Sequence, residues 1–277
     1  MSMQLPRAQW RLLRHPPALG TRNMAVDDAL LELSRRGDSP PSLRLYDWQP
    51  ACLSLGLAQP LADVDTARLA AHGWVMVRRP TGGRAILHTD ELTYSVTGPT
   101  EEPRLVGGVM ESYKRISAAL MRALQLMGLR VQQQANSMLA NGADPAAVCF
   151  EVPSDYEITL GGRKLIGSAQ ARRKGGVLQH GSLPLSGDIA RITEALRYES
   201  EEARAASAER VRARAATVQD GLGHAPTYAE AAEAFVAAFA EVLNIEFIEG
   251  ELSAEEEAAA ARWEAERYAH TDWVERV

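Results

Sequence analysis

The 277-residue sequence has only two cysteines, Cys52 and Cys149. Two thiols cannot form a disulfide framework, and they cannot make a zinc site by themselves. The sequence also lacks any apolar run near the roughly 20 residues that a membrane-spanning helix needs. Its first residues contain no apolar stretch of the signal-peptide type. These absences predict a cytoplasmic protein with free thiols and no membrane partner.

A basic excess is missing as well. Lysine and arginine together number 30, aspartate and glutamate 36, and the formal net charge is −6. Because nucleic-acid-binding proteins usually carry a basic excess, no nucleic-acid partner is expected. Apolar residues make up 46 % of the chain, so a chain of this length can bury a full core without metals or disulfides.

The hydropathy pattern changes along the chain. Apolar residues at helical spacing predict helices over 21–33 and 109–129, and alternation predicts strands over 74–79 and 92–97. The last third is rich in alanine and glutamate, and capping boxes at Thr227-x-x-Glu230 and Ser253-x-x-Glu256 predict that it is helical. This order predicts an α+β fold, with a mixed, largely antiparallel sheet flanked by helices.

A glycine-containing turn follows the strand over 74–79. It holds Pro80, Thr81, Gly82 and Gly83 directly after two arginines. Glycines let backbone N–H groups approach a ligand closely, and flanking arginines add donors for an anion. The segment is therefore a candidate substrate loop. An ordinary β-turn with solvent-facing arginines is the alternative.

A second glycine pair, Gly161-Gly162, predicts a tight hairpin between strands over 156–160 and 163–170. A third strand over 177–185 extends it into an antiparallel meander. A two-residue loop would pair Leu160 with Arg163, Thr159 with Lys164, and Ile158 with Leu165.

That register predicts the environment of Lys164, because side chains alternate between the two faces of a sheet. The residues expected on its face are Asp155, Glu157, Thr159, Ile166 and Ser168. A lysine beside carboxylates on such a face could bind an anion or transfer a proton. The alternative is a solvated strand lysine that pairs with Glu157.

Three further side chains are candidates for chemistry. Cys149 follows a small-residue loop over 136–145 and precedes the meander, so it is either a nucleophile or a small buried hydrophobic residue. Cys52 lies in an apolar strand and is expected to be buried. Neither His88 nor His180 has a second histidine at ligand spacing, so no metal site is predicted.

Several strings resemble one superfamily of enzymes, the biotin/lipoate protein ligases and octanoyltransferases. They are 23–30 (NMAVDDAL), 78–88 (RRPTGGRAILH), 162–170 (GRKLIGSAQ) and 180–185 (HGSLPL), with Arg267-Tyr268 and Asp272-Trp273 later in the chain. The resemblance implies a single acyltransferase domain over 1–277, with a catalytic core of about 38–245 and a helical segment of about 251–277. It also assigns substrate binding to Arg79, Thr81, Gly82, Gly83, His88, Ser168, Ala169, His180 and Gly181.

Within that superfamily, the string over 148–157 most resembles the LipM-type octanoyltransferases, in which the nucleophile precedes the lysine strand. No cysteine follows Lys164, which excludes the LipB arrangement. The resemblance implies that Cys149 and Lys164 are catalytic and that no cofactor is needed. The implied partners are octanoyl-acyl carrier protein and a lipoyl carrier domain such as the glycine-cleavage H protein. Three alternatives remain: an ATP-dependent lipoate–protein ligase, an octanoyl amidotransferase acting between lipoyl domains, and a non-catalytic module that binds carrier proteins.

Overall fold

The computed structural model describes residues 5–134 and 157–277. Eleven strands lie within these residues. In chain order they are β1 (Ala8–Arg14), β2 (Ser42–Tyr46), β3 (Cys52–Leu55), β4 (Val75–Arg78), β5 (Ile86–His88), β6 (Glu91–Pro99), β7 (Gln132–Gln134), β8 (Glu157–Leu160), β9 (Arg163–Arg173), β10 (Gly176–Pro184) and β11 (Ile245–Gly250). The loop predicted over 136–145 lies outside the described residues.

The strands form two sheets. The larger has the order β11-β1-β2-β6-β10-β9-β8-β7, and the smaller has the order β4-β3-β5. In the larger sheet β1 runs parallel to β11 and to β2, and the other pairs are antiparallel. The mixed, largely antiparallel sheet predicted from the sequence is therefore confirmed.

Eight α-helices complete the described fold. They are α1 (Gly20–Ser34), α2 (Thr66–Ala71), α3 (Val109–Leu126), α4 (Glu201–Arg214), α5 (Val218–Leu222), α6 (Tyr228–Leu243), α7 (Ala254–Trp263) and α8 (Thr271–Val274). Both predicted capping boxes, at Thr227 and Ser253, are formed. The prediction of a wholly helical last third was wrong, because it missed β11. Within the described residues, no helix is long and apolar enough to cross a bilayer.

Helices cover both faces of the larger sheet, and two adjacent residues of β6 show this. Tyr94 packs against Phe235 of α6, whereas Ser95 donates a hydrogen bond to Asp27 of α1. Because neighbouring strand residues point to opposite faces, α6 and α1 lie on opposite sides of the sheet. The α6 side holds the largest apolar cluster. The α1 side carries the polar groups of the candidate site.

The helix α1 is buried almost all round, unlike the amphipathic helix of a protein surface. It contacts β6 and β10 on one side and α7 on the other. Its Asn23, Asp27, Asp28 and Glu32 are all buried. A buried carboxylate or amide needs a charged or hydrogen-bonding partner. Polar or charged groups must therefore lie next to these four side chains.

Candidate active site

A pocket opens between the larger sheet and the glycine loop. Of the residues that the resemblance assigns to substrate binding, all but Thr81 line it. These are Arg79, Gly82, Gly83, His88, Ser168, Ala169, His180 and Gly181. The structure therefore brings together residues that lie as much as 102 positions apart in the sequence, from Arg79 to Gly181.

Other lining residues were not anticipated from the sequence. They are Met24, Tyr46, Trp48, Ser54, Ile86, Thr93, Gly167 and Ser182. Gly167 and Ser182 lie inside the strings that carried the resemblance, so those strings held a signal for them. Tyr46 and Trp48 follow an ordinary apolar strand pattern, which gives no sign of a pocket.

The glycine loop is held from inside by Arg79. Its guanidinium donates to the carbonyl oxygens of Gly82 at 2.8 Å, Arg84 at 2.7 Å and Ser54 at 2.9 Å. Arg78 and Arg79 are both buried, so the alternative of solvent-facing arginines was wrong. These contacts of Arg79 stabilise the loop. Contact between Arg79 and an anionic substrate stays a prediction.

Two glycines are required where the loop meets β3. Gly83 has a φ of +93°, a conformation that residues with a side chain rarely adopt. A Cβ atom on Gly56 would lie 1.8 Å from the carbonyl oxygen of Gly83. Glycine at both positions therefore lets the loop lie directly against β3.

A hydrogen-bonded chain of three side chains supports one side of the loop. The Nδ1 of His88 lies 2.7 Å from Glu91, and its Nε2 lies 2.8 Å from the hydroxyl of Ser54. Because the carboxylate only accepts, Nδ1 of the imidazole donates to Glu91. The Ser54 oxygen in turn accepts from Arg79 at 3.2 Å. His88 also stacks on Trp48, with ring centroids 4.0 Å apart.

A second chain of the same type supports the other side. The Nδ1 of His180 lies 3.2 Å from Asp27, and its Nε2 lies 2.7 Å from the hydroxyl of Thr81. Thr81 is therefore tied to the sheet and to α1 through His180. Both ring nitrogens of His88 and of His180 are thus within hydrogen-bond distance of protein groups. Each imidazole connects a carboxylate to a hydroxyl group that supports the glycine loop.

Asp27 is the centre of the second chain. Besides His180, it accepts from Arg44 at 2.8 Å, Ser95 at 2.8 Å and Tyr46 at 3.0 Å. Burial works to raise the pKa of Asp27, but the hydrogen bonds from His180 and Ser95 and the charge of Arg44 outweigh it and leave that pKa lowered. Burial, helped by the charge of Asp27, raises the pKa of Tyr46, which stays a neutral donor.

The hairpin confirms the predicted register in part. Leu160 pairs with Arg163 and Thr159 with Lys164, as expected. A bulge between Ile158 and Thr159 then moves the register, so Ile158 pairs with Ile166 and the predicted pairing with Leu165 was wrong. A bulge adds one residue to one strand, which a count from the turn cannot show.

Lys164 lies in β9 with its ammonium 2.9 Å from the carboxylate of Glu157. The predicted partner is therefore correct, but the lysine is only 5 % exposed, so it is not a solvated surface residue. Lys164 is not among the described residues that line the pocket. It lies three positions before Gly167, which does line it.

The structure describes only one of the two cysteines. Cys149 and Asp155 lie outside the described residues, so their positions relative to Lys164 stay predictions. Cys52 lies in β3 and is fully buried, as expected. Burial, together with the charge of Glu91, raises the pKa of the Cys52 thiol far above its ordinary value. A thiol in that state is a poor nucleophile.

Residues near the C-terminus bind to β4, the strand that leads into the glycine loop. Trp273 donates to the carbonyl oxygen of Arg78 at 2.8 Å. A separate contact starts at Asp28, which accepts from Tyr268 at 2.6 Å and from Arg267 at 2.8 Å. Arg173 of β9 reaches Asp28 at 3.5 Å and the carbonyl oxygen of Pro80 at 3.0 Å. Helix α1, the C-terminal segment and the loop thus meet at one carboxylate.

Comparisons with known proteins agree on one family. Residues 20–240 match the model of the lipoyl protein ligase A/B catalytic domain. A protein of Carboxydothermus hydrogenoformans named Octanoyltransferase LipM is 39 % identical, over 96 % of this chain and 98 % of its own. A protein of the same name from Kyrpidia tusciae is 41 % identical, over 95 % of this chain and 97 % of its own.

Solved structures show the same fold. The bipartite lipoate protein ligase of Thermoplasma acidophilum, studied with its E2 lipoyl domain, has a TM-score of 0.80 at 25 % identity, covering 96 % of both chains. A lipoate-protein ligase A bound with ATP has a TM-score of 0.76 at 24 % identity, covering 97 % of this chain and 98 % of that one. On the match over residues 20–240 and the near full-length identity to these relatives, the chain belongs to the lipoyl protein ligase A/B catalytic domain family.

Proposed function

We propose that this enzyme transfers an octanoyl group from octanoyl-acyl carrier protein, through a thioester on Cys149, to a lysine of a lipoyl carrier domain. The observation that carries the proposal is the near full-length identity of 38–41 % to proteins named Octanoyltransferase LipM. Octanoyl transfer in protein lipoylation is the reaction of this chain on that evidence. Cys149 as nucleophile, the acyl carrier protein and the glycine-cleavage H protein as acceptor are the finer parts of the proposal.

The first half-reaction exchanges one thioester for another. The Sγ of Cys149, as thiolate, forms a bond to the octanoyl carbonyl carbon, and the carrier's thiolate leaves and takes a proton. Because the two thioesters have similar energy, no ATP is required. The ammonium of Lys164 would favour the thiolate form of Cys149 if the two side chains approach each other.

The second half-reaction forms an amide. The neutral amine of the acceptor lysine attacks the same carbonyl carbon, the Sγ of Cys149 leaves, and the amine loses one proton. This step needs a base close to the amine, and the resemblance makes Lys164, which pairs with Glu157, the candidate. The two steps as proposed use no metal or organic cofactor.

We expect the acyl chain to lie in this pocket. Met24, Trp48 and Ile86 give its wall an apolar part. Burial of an eight-carbon chain stabilises its complex by up to about 0.8 kcal/mol for each methylene. We propose further that residues 1–277 work as a single acyltransferase domain in the cytoplasm. The support is that α7 and the residues after it pack against α1.

Mass spectrometry of the intact enzyme tests the proposal. The enzyme is incubated with octanoyl-acyl carrier protein in nucleotide-free buffer with EDTA, first alone and then with a lipoyl carrier domain. We expect one octanoyl group on Cys149, and its later transfer to the carrier lysine. Strict dependence on ATP, Mg²⁺ and free octanoate or lipoate would show a ligase instead. Transfer only from an octanoylated lipoyl domain would show an amidotransferase, and binding without transfer would show a carrier-binding module.

A further inference from the structure

One hydroxyl group in the pocket has no partner in the protein. Ser182 lies in β10, lines the pocket and is 1 % exposed. Among the residues that the structure describes, nothing accepts from or donates to its Oγ. A buried hydroxyl without a partner is destabilising, so such a group in a binding pocket needs an explanation.

The other polar side chains of the pocket wall are already engaged. Tyr46 donates to Asp27, Trp48 to Thr93, and Thr93 to Glu91. Ser168 lies 2.8 Å from the hydroxyl of Tyr94. Ser54, Arg79, His88 and His180 are hydrogen-bonded within the two chains that support the glycine loop. Within the described part of the wall, Ser182 is therefore the residue whose buried side-chain polar atom has no hydrogen bond in the protein.

The register of the sheet places this hydroxyl among lining residues of the pocket. Ser182 lies between Thr93 of β6 and Gly167 of β9, and all three residues line the pocket. Trp48 lies close by, because it donates a hydrogen bond to Thr93 at 2.8 Å. The unpartnered hydroxyl therefore lies beside an apolar ring of the pocket wall.

We infer that Ser182 donates a hydrogen bond to the carbonyl oxygen of the acyl group held in this pocket. The inference rests on the proposed function, because it takes the ligand to be a medium-chain acyl group, whose one hydrogen-bond acceptor is its carbonyl oxygen. A carbonyl oxygen accepts and cannot donate, which suits a hydroxyl whose proton is unused. The same hydrogen bond would strengthen as negative charge develops on that oxygen during thioester attack.

The test uses octanamide labelled with ¹³C at its carbonyl. This probe carries the chain and the acceptor oxygen, but it does not react with a thiolate. Its affinity is measured by calorimetry, and its carbonyl band is measured by isotope-edited infrared spectroscopy. We expect the wild-type protein to bind octanamide with the band at low frequency. Ser182→Ala should bind about 3- to 10-fold more weakly, with the band moved to higher frequency.

The matched control is Ser34→Ala. Ser34 lies at the end of α1 and also has a buried hydroxyl with no partner among the described residues, but it does not line the pocket. Both variants should fold, because each removes an unsatisfied group and leaves none behind. Ser34→Ala should bind octanamide like the wild type, with an unmoved band.

Two results would overturn the inference, and they differ in meaning. If octanamide binds the wild type and Ser182→Ala alike, with the same carbonyl band, Ser182 does not touch the acyl carbonyl and the proposed function still stands. If octanamide does not bind the wild type at all, the pocket is not the acyl site, and the inference fails together with this part of the proposed function.

Discussion

The guanidinium of Arg78 donates hydrogen bonds to the carbonyl oxygen of Val274 from both Nη2, at 2.6 Å, and Nε, at 3.0 Å. Its Nη1 donates to the carbonyl oxygens of Gly56 and Gln59. A buried cation is thus bound by backbone carbonyl groups from two distant segments. Arg78, the last residue of β4, is therefore positioned in part by a residue 196 positions later in the chain.

Loss of Trp273 should loosen this connection. Trp273→Ala removes the hydrogen bond to the Arg78 carbonyl and the edge contact with Tyr268. Because Trp273 is only partly buried, we expect a loss of about 2 kcal/mol in the free energy of unfolding. Urea denaturation measures it. Asp272→Ala is the control: its side chain is 90 % exposed, so its stability should stay within about 0.5 kcal/mol of the wild type.

The two glycines of the loop should respond differently to alanine. Gly83→Ala forces a side chain into a conformation with φ +93° and brings its Cβ within 2.8 Å of the Arg79 guanidinium. We expect it to lose at least about 1 kcal/mol of stability. Gly82→Ala meets nothing within 4 Å and should leave the thermal midpoint nearly unchanged. Equal midpoints for the two variants would contradict the loop geometry described above.

Only one of the cysteines should carry octanoate. Cys149→Ala should fold and show no octanoylated species in the intact mass spectrum. Cys52→Ala should still become octanoylated, because burial has already removed the Cys52 thiol from chemistry by raising its pKa. Alanine is preferred to serine at position 52, since serine would place a hydroxyl among the apolar side chains around it. Transfer by Cys149→Ala at the normal rate would rule out the thioester relay.

Two variants separate the contribution of Lys164 to stability from its contribution to catalysis. Lys164→Ala leaves the buried carboxylate of Glu157 without this ammonium, and we expect a loss of about 3 kcal/mol in stability. Adding Glu157→Gln removes the uncompensated charge and should recover part of that loss. It should not recover transfer. Quenched-flow measurement of both half-reactions checks this, with raised pH expected to rescue thioester formation in part. Near-normal transfer by either variant would show that Lys164 has no chemical role.

Asp27 should make stability depend on pH on the acid side. Its folded-state pKa is lowered from the ordinary value of 3.8, so at low pH the unfolded chain binds more protons than the folded one. The stabilisation is present above the unfolded pKa and is lost as pH falls through the folded pKa. Asp27→Asn should be less stable at pH 7, because Arg44 is buried without its carboxylate. The difference from the wild type should shrink below about pH 4, as urea denaturation at several pH values would show.

The sequence held enough to predict the hairpin and the loop, because both are local. Paired glycines fix the pairing of Thr159 with Lys164 whatever the rest of the chain does. It could not predict the bulge at Ile158, since a bulge depends on how the strand packs further along. It also could not place Tyr46 or Trp48 in the pocket, because their positions follow from pairing with β6 and from contact with Asp27 and His88.

The strands β1 and β11 show the same limit at a longer range. Their parallel pairing joins Ala8 to Ile245 and Leu13 to Gly250, and no local pattern near Ala8 points to a partner more than 200 residues away. The prediction that substrate touches His88 and His180 stays open in a similar way. The sequence brought these histidines to attention, but only the structure shows that they hold Ser54 and Thr81.

The β1–β11 pairing has a consequence for synthesis on the ribosome. Until residues 245–250 have been made, the outer side of β1 is a sheet edge with unpaired backbone groups, which favours association with other chains. The strand that finally covers this edge carries outward glutamates, Glu246 and Glu249, that pair with arginines of the N-terminal region. One edge of the finished sheet therefore carries two paired carboxylates, whereas the unfinished chain leaves the edge of β1 open for most of its translation.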